Sequence, residues 1–228
     1  MEKAITLFHL GPLAIGEAVV TTWGIMLVLG LVCWLATRRL SLDPGPFQLA
    51  LEGIVAAMQA AIEAILPDKS LLVLPFIGTL WIFVLVANLV GVIPGLSSPT
   101  SNLSVTAALA ILVFFSVHWY GVRVDGWLAY LRHYARPSPL LLPFHVISEI
   151  SRTVALAVRL FGNIMSLQMA ALLVLLVAGF LVPVPLLMLH IVEAVVQAYI
   201  FGMLALIYVS GAMQSQEFQK NKEGENHE

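Results

Sequence analysis

Apolar runs at least as long as a bilayer is thick constrain this chain more than any other feature. A helix crossing a membrane takes roughly 20 mostly apolar residues, and runs of that length recur between about positions 16 and 212. The first covers 16–37 and ends on Arg38 and Arg39. It is too long for a signal-peptide core, and its basic pair follows the run, so it reads as a retained helix. Further runs cover 71–93 and 103–122, and two long ones, 141–182 and 186–212, meet at Pro183-Val184-Pro185. At 1.5 Å per residue the run 141–182 makes roughly 60 Å of helix, so it must be steeply tilted, bent or broken. Composition agrees: 60% of the 228 residues are hydrophobic and 11% are charged. So little charge does not cover a water-exposed surface.

Residues 44–66 follow a different pattern. Gln48, Glu52, Gln59 and Glu63 recur at spacings of 4, 7 and 4, which sets them on one helical stripe against Leu, Ile, Val, Ala and Met. Such a helix lies at the membrane surface or lines a wet cavity. Asp43-Pro44-Gly45-Pro46 breaks the chain before it and Pro67 ends it. The expected fold is an all-α integral membrane protein of about five transmembrane helices plus one amphipathic interfacial helix, the last two spans long and tilted. All of 1–228 is expected to form one membrane domain, with a polar, frayed cytoplasmic tail over 213–228. Basic residues set the orientation. Arg38, Arg39, Lys69, Arg123, Arg132, Arg136, Lys220 and Lys222 all fall on one side of the alternating spans, leaving Lys3 on the other. The N-terminus is therefore expected outside, and helix 44–66 and the C-terminus in the cytoplasm.

Ionisable residues inside spans are costly and point to function. They gather in the last two runs. His145, Glu149, Arg152, Arg159 and Asn163 follow at 4, 3, 7 and 4, and His190, Glu193 and Gln197 at 3 and 4, each set forming one stripe. Two polar stripes on facing apolar helices imply a hydrated or protein-facing seam. A guanidinium stays charged in any protein environment, so Arg159 does not relay protons but holds a fixed positive potential. The plainer reading is a buried salt bridge with Glu149 or Glu193. Cys33 is the single cysteine, which excludes disulfides and a thiolate metal cage. The chain carries no Walker A loop, HExxH or GxSxG. No cofactor, metal, nucleic-acid partner or catalytic site of its own is expected. His118, before Trp119-Tyr120, reads as an interfacial anchor.

The stretch Ala157-Val158-Arg159-Leu160-Phe161-Gly162-Asn163-Ile164-Met165 resembles the signature of the F-type ATP synthase subunit a family. Gln197-Ala198-Tyr199-Ile200-Phe201 and Asn88-Leu89-Val90-Gly91-Val92-Ile93-Pro94 resemble the same family, and the order of apolar runs agrees along nearly the whole chain. The resemblance implies a stator in a bacterial-type plasma membrane, beside a c-ring and a peripheral-stalk subunit b that leads to the soluble catalytic head. Two offset half-channels would carry ions to and from the ring carboxylates, with Arg159 separating them and driving ion release. The ion is expected to be H+, with Na+ the alternative.

By the same resemblance Gln197 lies close to the arginine and Asn163 belongs to its motif. His190 stands where relatives carry His or Glu, and imidazoles titrate near neutrality, which suits proton traffic. Gln168 replaces a glutamate common in relatives, and Glu193 is positioned to substitute for it. His145 stands where relatives often have a carboxylate, Glu149 follows one turn later, and Arg152 falls where they have Lys or Arg. Thr153 replaces a proline, and Asn102 stands where some have Asp. These departures indicate a divergent, N-type-like branch. A secondary transporter would need two related halves, which are not found. An intramembrane hydrolase would need metal ligands beyond His145 and Glu149.

Overall fold

The computed structural model describes residues 6–10, 13–38, 41, 45–93, 96, 98–126, 142–178 and 184–225. Among the described residues six helices carry the architecture: α1 (Glu17–Thr37), α2 (Pro46–Glu63), α3 (Ser70–Val90), α4 (Leu103–Asp125), α5 (Leu142–Ala178) and α6 (Val184–Glu225). Five of them are long and apolar enough to cross a membrane, over Glu17–Thr37, Pro67–Val90, Leu103–Val124, Val146–Val177 and Pro185–Met213. The all-α membrane class expected from the sequence therefore holds for the spans. One short addition was not foreseen: Thr6–Leu10 and Leu13–Gly16 pair as an antiparallel hairpin leading into α1. Arg39, the basic loop with Arg132 and Arg136, and Pro183 lie outside the described residues.

Local chemistry explains the boundaries. Pro46 occupies the first turn of α2, where its missing N–H costs nothing. Asn102 caps α4, its Oδ1 accepting from the Ser104 N–H at 2.9 Å. Gly126, at φ 82°, ends that helix in a conformation most side chains avoid. Far from fraying at 213, α6 runs on to Glu225. Its last turns are rich in Gln, Glu and Lys, which favour helix.

The polar stripe of α2 satisfies itself along the helix. Gln48 donates to Glu52 at 2.7 Å and Gln59 to Glu63 at 2.8 Å. The flank beside that stripe sinks Ile62 and Met58 against α3, while Leu49, Ile54 and Val55 stay exposed. This helix therefore has both a polar edge and an apolar edge open to its surroundings, as an interfacial helix needs.

Between spans lipid offers no hydrophobic incentive to associate, so close packing of small residues replaces it. Ala110, Ala157, Ala194, Ala198 and Ala205 are all buried. Gly202 of α6 lies flat against the indole of Trp81 on α3. That ring stacks on Tyr199 (centroids 6.3 Å apart, planes at 4°), and its Nε1 donates to the Tyr199 carbonyl at 3.2 Å. The core thus lies where α6 packs on α3 and α4, and α5 packs on α4. α1 contributes only Ile25 to the buried set.

Candidate functional site

Both polar stripes form, but they face different ways. On α6 the stripe turns inward: His190 is 3% exposed and Gln197 1%, while Glu193 is half-buried. On α5 the inward face is Leu156, Ala157, Leu160 and Ile164, and the charged residues lie to one side of it. Arg152 and Arg159 are exposed, and Glu149 and Asn163 are half-buried. The stripes meet at one point, where Asn163 Nδ2 donates to Gln197 Oε1 at 2.7 Å. Gln197 Nε2 is buried without a partner among the described residues.

Arg159, one turn before Asn163, looks out of the bundle. Among the described residues it has no ion-pair or hydrogen-bond partner. The expected alternative, a salt bridge to Glu149 or Glu193, is not formed. Around it on the same exposed arc stand Ser148, Ser151, Ala155 and Ser166, with Gly162 half-buried. Small side chains here leave the guanidinium proud of its surroundings and allow another helix to approach closely.

A second polar group gathers where α3 ends. His190 Nε2 lies 3.3 Å from the Asn88 carbonyl. Thr100 donates to Asn88 Oδ1 at 2.7 Å, and Ser98 lies 2.6 Å from Thr100 while donating to the Ala87 carbonyl at 2.8 Å. Asn88 Nδ2 is fully buried and has no partner among the described residues. Gln168 belongs to this group: its Nε2 would lie 3.2 Å from a Cβ added to Gly91, and Ser98 Cβ would lie at 2.9 Å. Only glycine leaves room there. Glu193 makes no hydrogen bond or ion pair among the described residues. Sequence reasoning missed Ser98 and Thr100, whose loop attracted notice only for carrying no charge.

The third group sits between α4, α5 and α6. Glu149 Oε2 lies 3.8 Å from His118 Nε2. The Arg152 guanidinium lies over the Tyr208 ring, 5.4 Å from its centroid, a cation–π arrangement. His145 lies on α5, and its side chain falls outside the described residues. Among the described residues no group of His, Cys, Asp and Glu has the makings of a metal site.

Membrane-length helices that bury amides and an imidazole, yet hold an arginine out on an otherwise small-residue face, define a multi-pass membrane subunit of ion-handling character. The family model described as ATP synthase A chain matches residues 19–210, and the chain belongs to that family. It is 64% identical over 225 residues to ATP synthase subunit a 2 of Pelobacter propionicus, covering 99% of both chains. With ATP synthase subunit a of Legionella pneumophila (strain Paris) it shares 59% over 217 residues, 95% of this chain and 94% of that one. With ATP synthase subunit a 1 of Hahella chejuensis it shares 68% over 206 residues, 90% and 88% of the two chains.

Proposed function

We propose that this chain is the stator of a rotary F-type ATP synthase, carrying protons between two half-channels and a ring of partner carboxylates, with Arg159 as the fixed charge between them. The observation that carries the reading is the outward, unpaired placement of Arg159. A lone cation facing lipid costs about 2.5–3.5 kcal/mol even on insertion scales. Anionic groups on a neighbouring chain would remove that cost, and the small residues around Arg159 suit such a neighbour.

The magnitudes suit a reversible motor. A unit-charge pair at about 4 Å is worth about 4 kcal/mol at an effective dielectric of 20. A membrane potential supplies about 2.3 kcal/mol per charge per 100 mV. The guanidinium therefore draws each arriving carboxylate into its ionised form, yet the driving force still pulls the pair apart. A guanidinium does not give up its proton, so ions do not leak along the stator past it. Arg159 blocks the short circuit.

The group of His190, Asn88, Thr100, Ser98 and Gln168 supplies one half-channel, and the group of Glu149, Arg152 and His118 the other. Asn163 and Gln197 brace the seam beside Arg159. Glu193, half-buried one turn from His190, stands in for the carboxylate that Gln168 lacks. The whole chain acts as one membrane domain with its N-terminus outside and C-terminus in the cytoplasm, held against the ring by the peripheral stalk. Arg159→Ala in the assembled complex is expected to abolish ATP-driven proton uptake into inverted vesicles while the detached head still hydrolyses ATP. A fully coupled Arg159→Ala complex would refute the reading, and flux that requires Na+ would reassign the ion.

A further inference from the structure

His118 is half-buried on α4, away from every motif that identified the family. Its Nδ1 lies 2.9 Å from the Phe114 carbonyl oxygen. A carbonyl only accepts, so Nδ1 carries the hydrogen. Nε2 is then left to face the Glu149 carboxylate at 3.8 Å. With the tautomer fixed in this way, a proton on Nε2 or on a carboxyl oxygen can be shared across this contact.

A separation of 3.8 Å exceeds a direct hydrogen bond and suits a bridging water. Glu149, Arg152, Thr153 and Tyr208, with Phe114 and Val117, border a cavity of about 20 Å³ on the Glu149 side of the contact, which His118 does not line. That volume admits about one water, and the wall offers the polar partners a water needs. Among the described residues, the titratable or charged groups beside Glu149 are Arg152 from α5 and Tyr208 from α6. Two turns further along α5 the bundle turns dry, with Leu156 at 2% and Leu160 at 0% exposure.

We propose that His118 and Glu149 form one shared proton site that loads and unloads the half-channel next to Arg152. The inference rests on the reading of the chain as a proton-carrying stator. A proton from water bonds to Nε2. The N–H bond then breaks as a carboxyl O–H forms on Glu149, once the side chains close the 3.8 Å gap or a water bridges it, and the carboxyl releases the proton onward. The reverse path runs through the same two bonds, and no electrons change hands.

ATP-driven proton flux into inverted vesicles tests this, measured on the intact complex from about pH 5 to pH 8, where imidazoles titrate. His118→Gln and Glu149→Gln are each expected to lower flux about a hundredfold, the low end of what positioned proton-transfer groups contribute, and to flatten its pH profile. The double variant is expected to fall no further than the worse single one, because one site is lost in each case. His118→Asn, a smaller side chain also lacking the ring, should reproduce the loss. Wild-type flux and profile in His118→Gln, or losses that multiply in the double variant, would overturn the proposal. If Arg159→Ala stays coupled, the stator reading itself fails. If Arg159→Ala is inactive and His118→Gln is normal, the shared proton site alone fails.

Discussion

Gly202→Ala probes the closest approach between α3 and α6. A Cβ at position 202 would lie 2.7 Å from Trp81 Cε2 and closer still to Nε1 and Cδ1. The five-membered ring of the indole occupies the space, and real Cβ atoms do not reach such distances. Trp81 is held by Tyr199 twice over, stacked on its ring at 4° between planes and donating to its carbonyl at 3.2 Å. It therefore cannot slide away while keeping both contacts. Overpacking typically costs roughly 1–3 kcal/mol, and losing the indole hydrogen bond adds about 0.5–1.5 kcal/mol. The expected destabilisation is about 2–4 kcal/mol, seen as a lower thermal midpoint for dissociation of the purified complex. Trp81→Ala clears the whole indole, so Gly202→Ala should cost little further in that background. Gly202→Ala with an unchanged midpoint, or a pair whose losses simply add, would show that α3 and α6 do not meet through this contact.

Thr100→Val removes the donor to Asn88 Oδ1 and leaves a fully buried carboxamide with neither end partnered. A cost of about 1–3 kcal/mol is expected, checked by the same thermal midpoint, and no change would show that another donor reaches Asn88. Asn163→Leu similarly strips Gln197 Oε1 of its donor. It should destabilise the complex by about 1 kcal/mol or more, and adding Gln197→Leu should recover much of that, since replacing both partners removes the unsatisfied group. A double variant less stable than Asn163→Leu alone would contradict the pairing.

The spans were readable in advance because length and apolarity are local properties of the chain. Glu17–Thr37 needs no neighbour to declare itself a membrane helix. Helical spacing likewise placed His190 and Gln197 together and Arg152 and Arg159 together. Spacing fixes angles within one helix but says nothing about which way that helix is turned. The direction is decided by contacts distant in sequence: Trp81 against Gly202 and Tyr199 turns the Gln197 face inward. Leu156 and Leu160, packed inward on α5, leave Arg159 outside. For the same reason Ser98 and Thr100 looked like ordinary loop residues until the return of the chain set them on Asn88. The pairing of His118 with Glu149 spans two helices and leaves no mark in the spacing of either.

That division of faces bears on how an arginine can be kept charged in a membrane. Buried against Glu149 or Glu193, its field would be spent inside the bundle, and a ring carboxylate arriving from outside would meet a neutral pair. Turned outward among Ser151, Ala155 and Gly162, with the nearby amides of Asn163 and Gln197 engaged with each other, the full charge stays directed at whatever approaches. On the proposed reading, the neutral seam behind it is as much a part of the device as the guanidinium. Introducing a carboxylate at Asn163 would supply an internal counter-charge one turn from Arg159, and on these grounds would weaken the attraction for a mobile acid even though Arg159 itself is untouched.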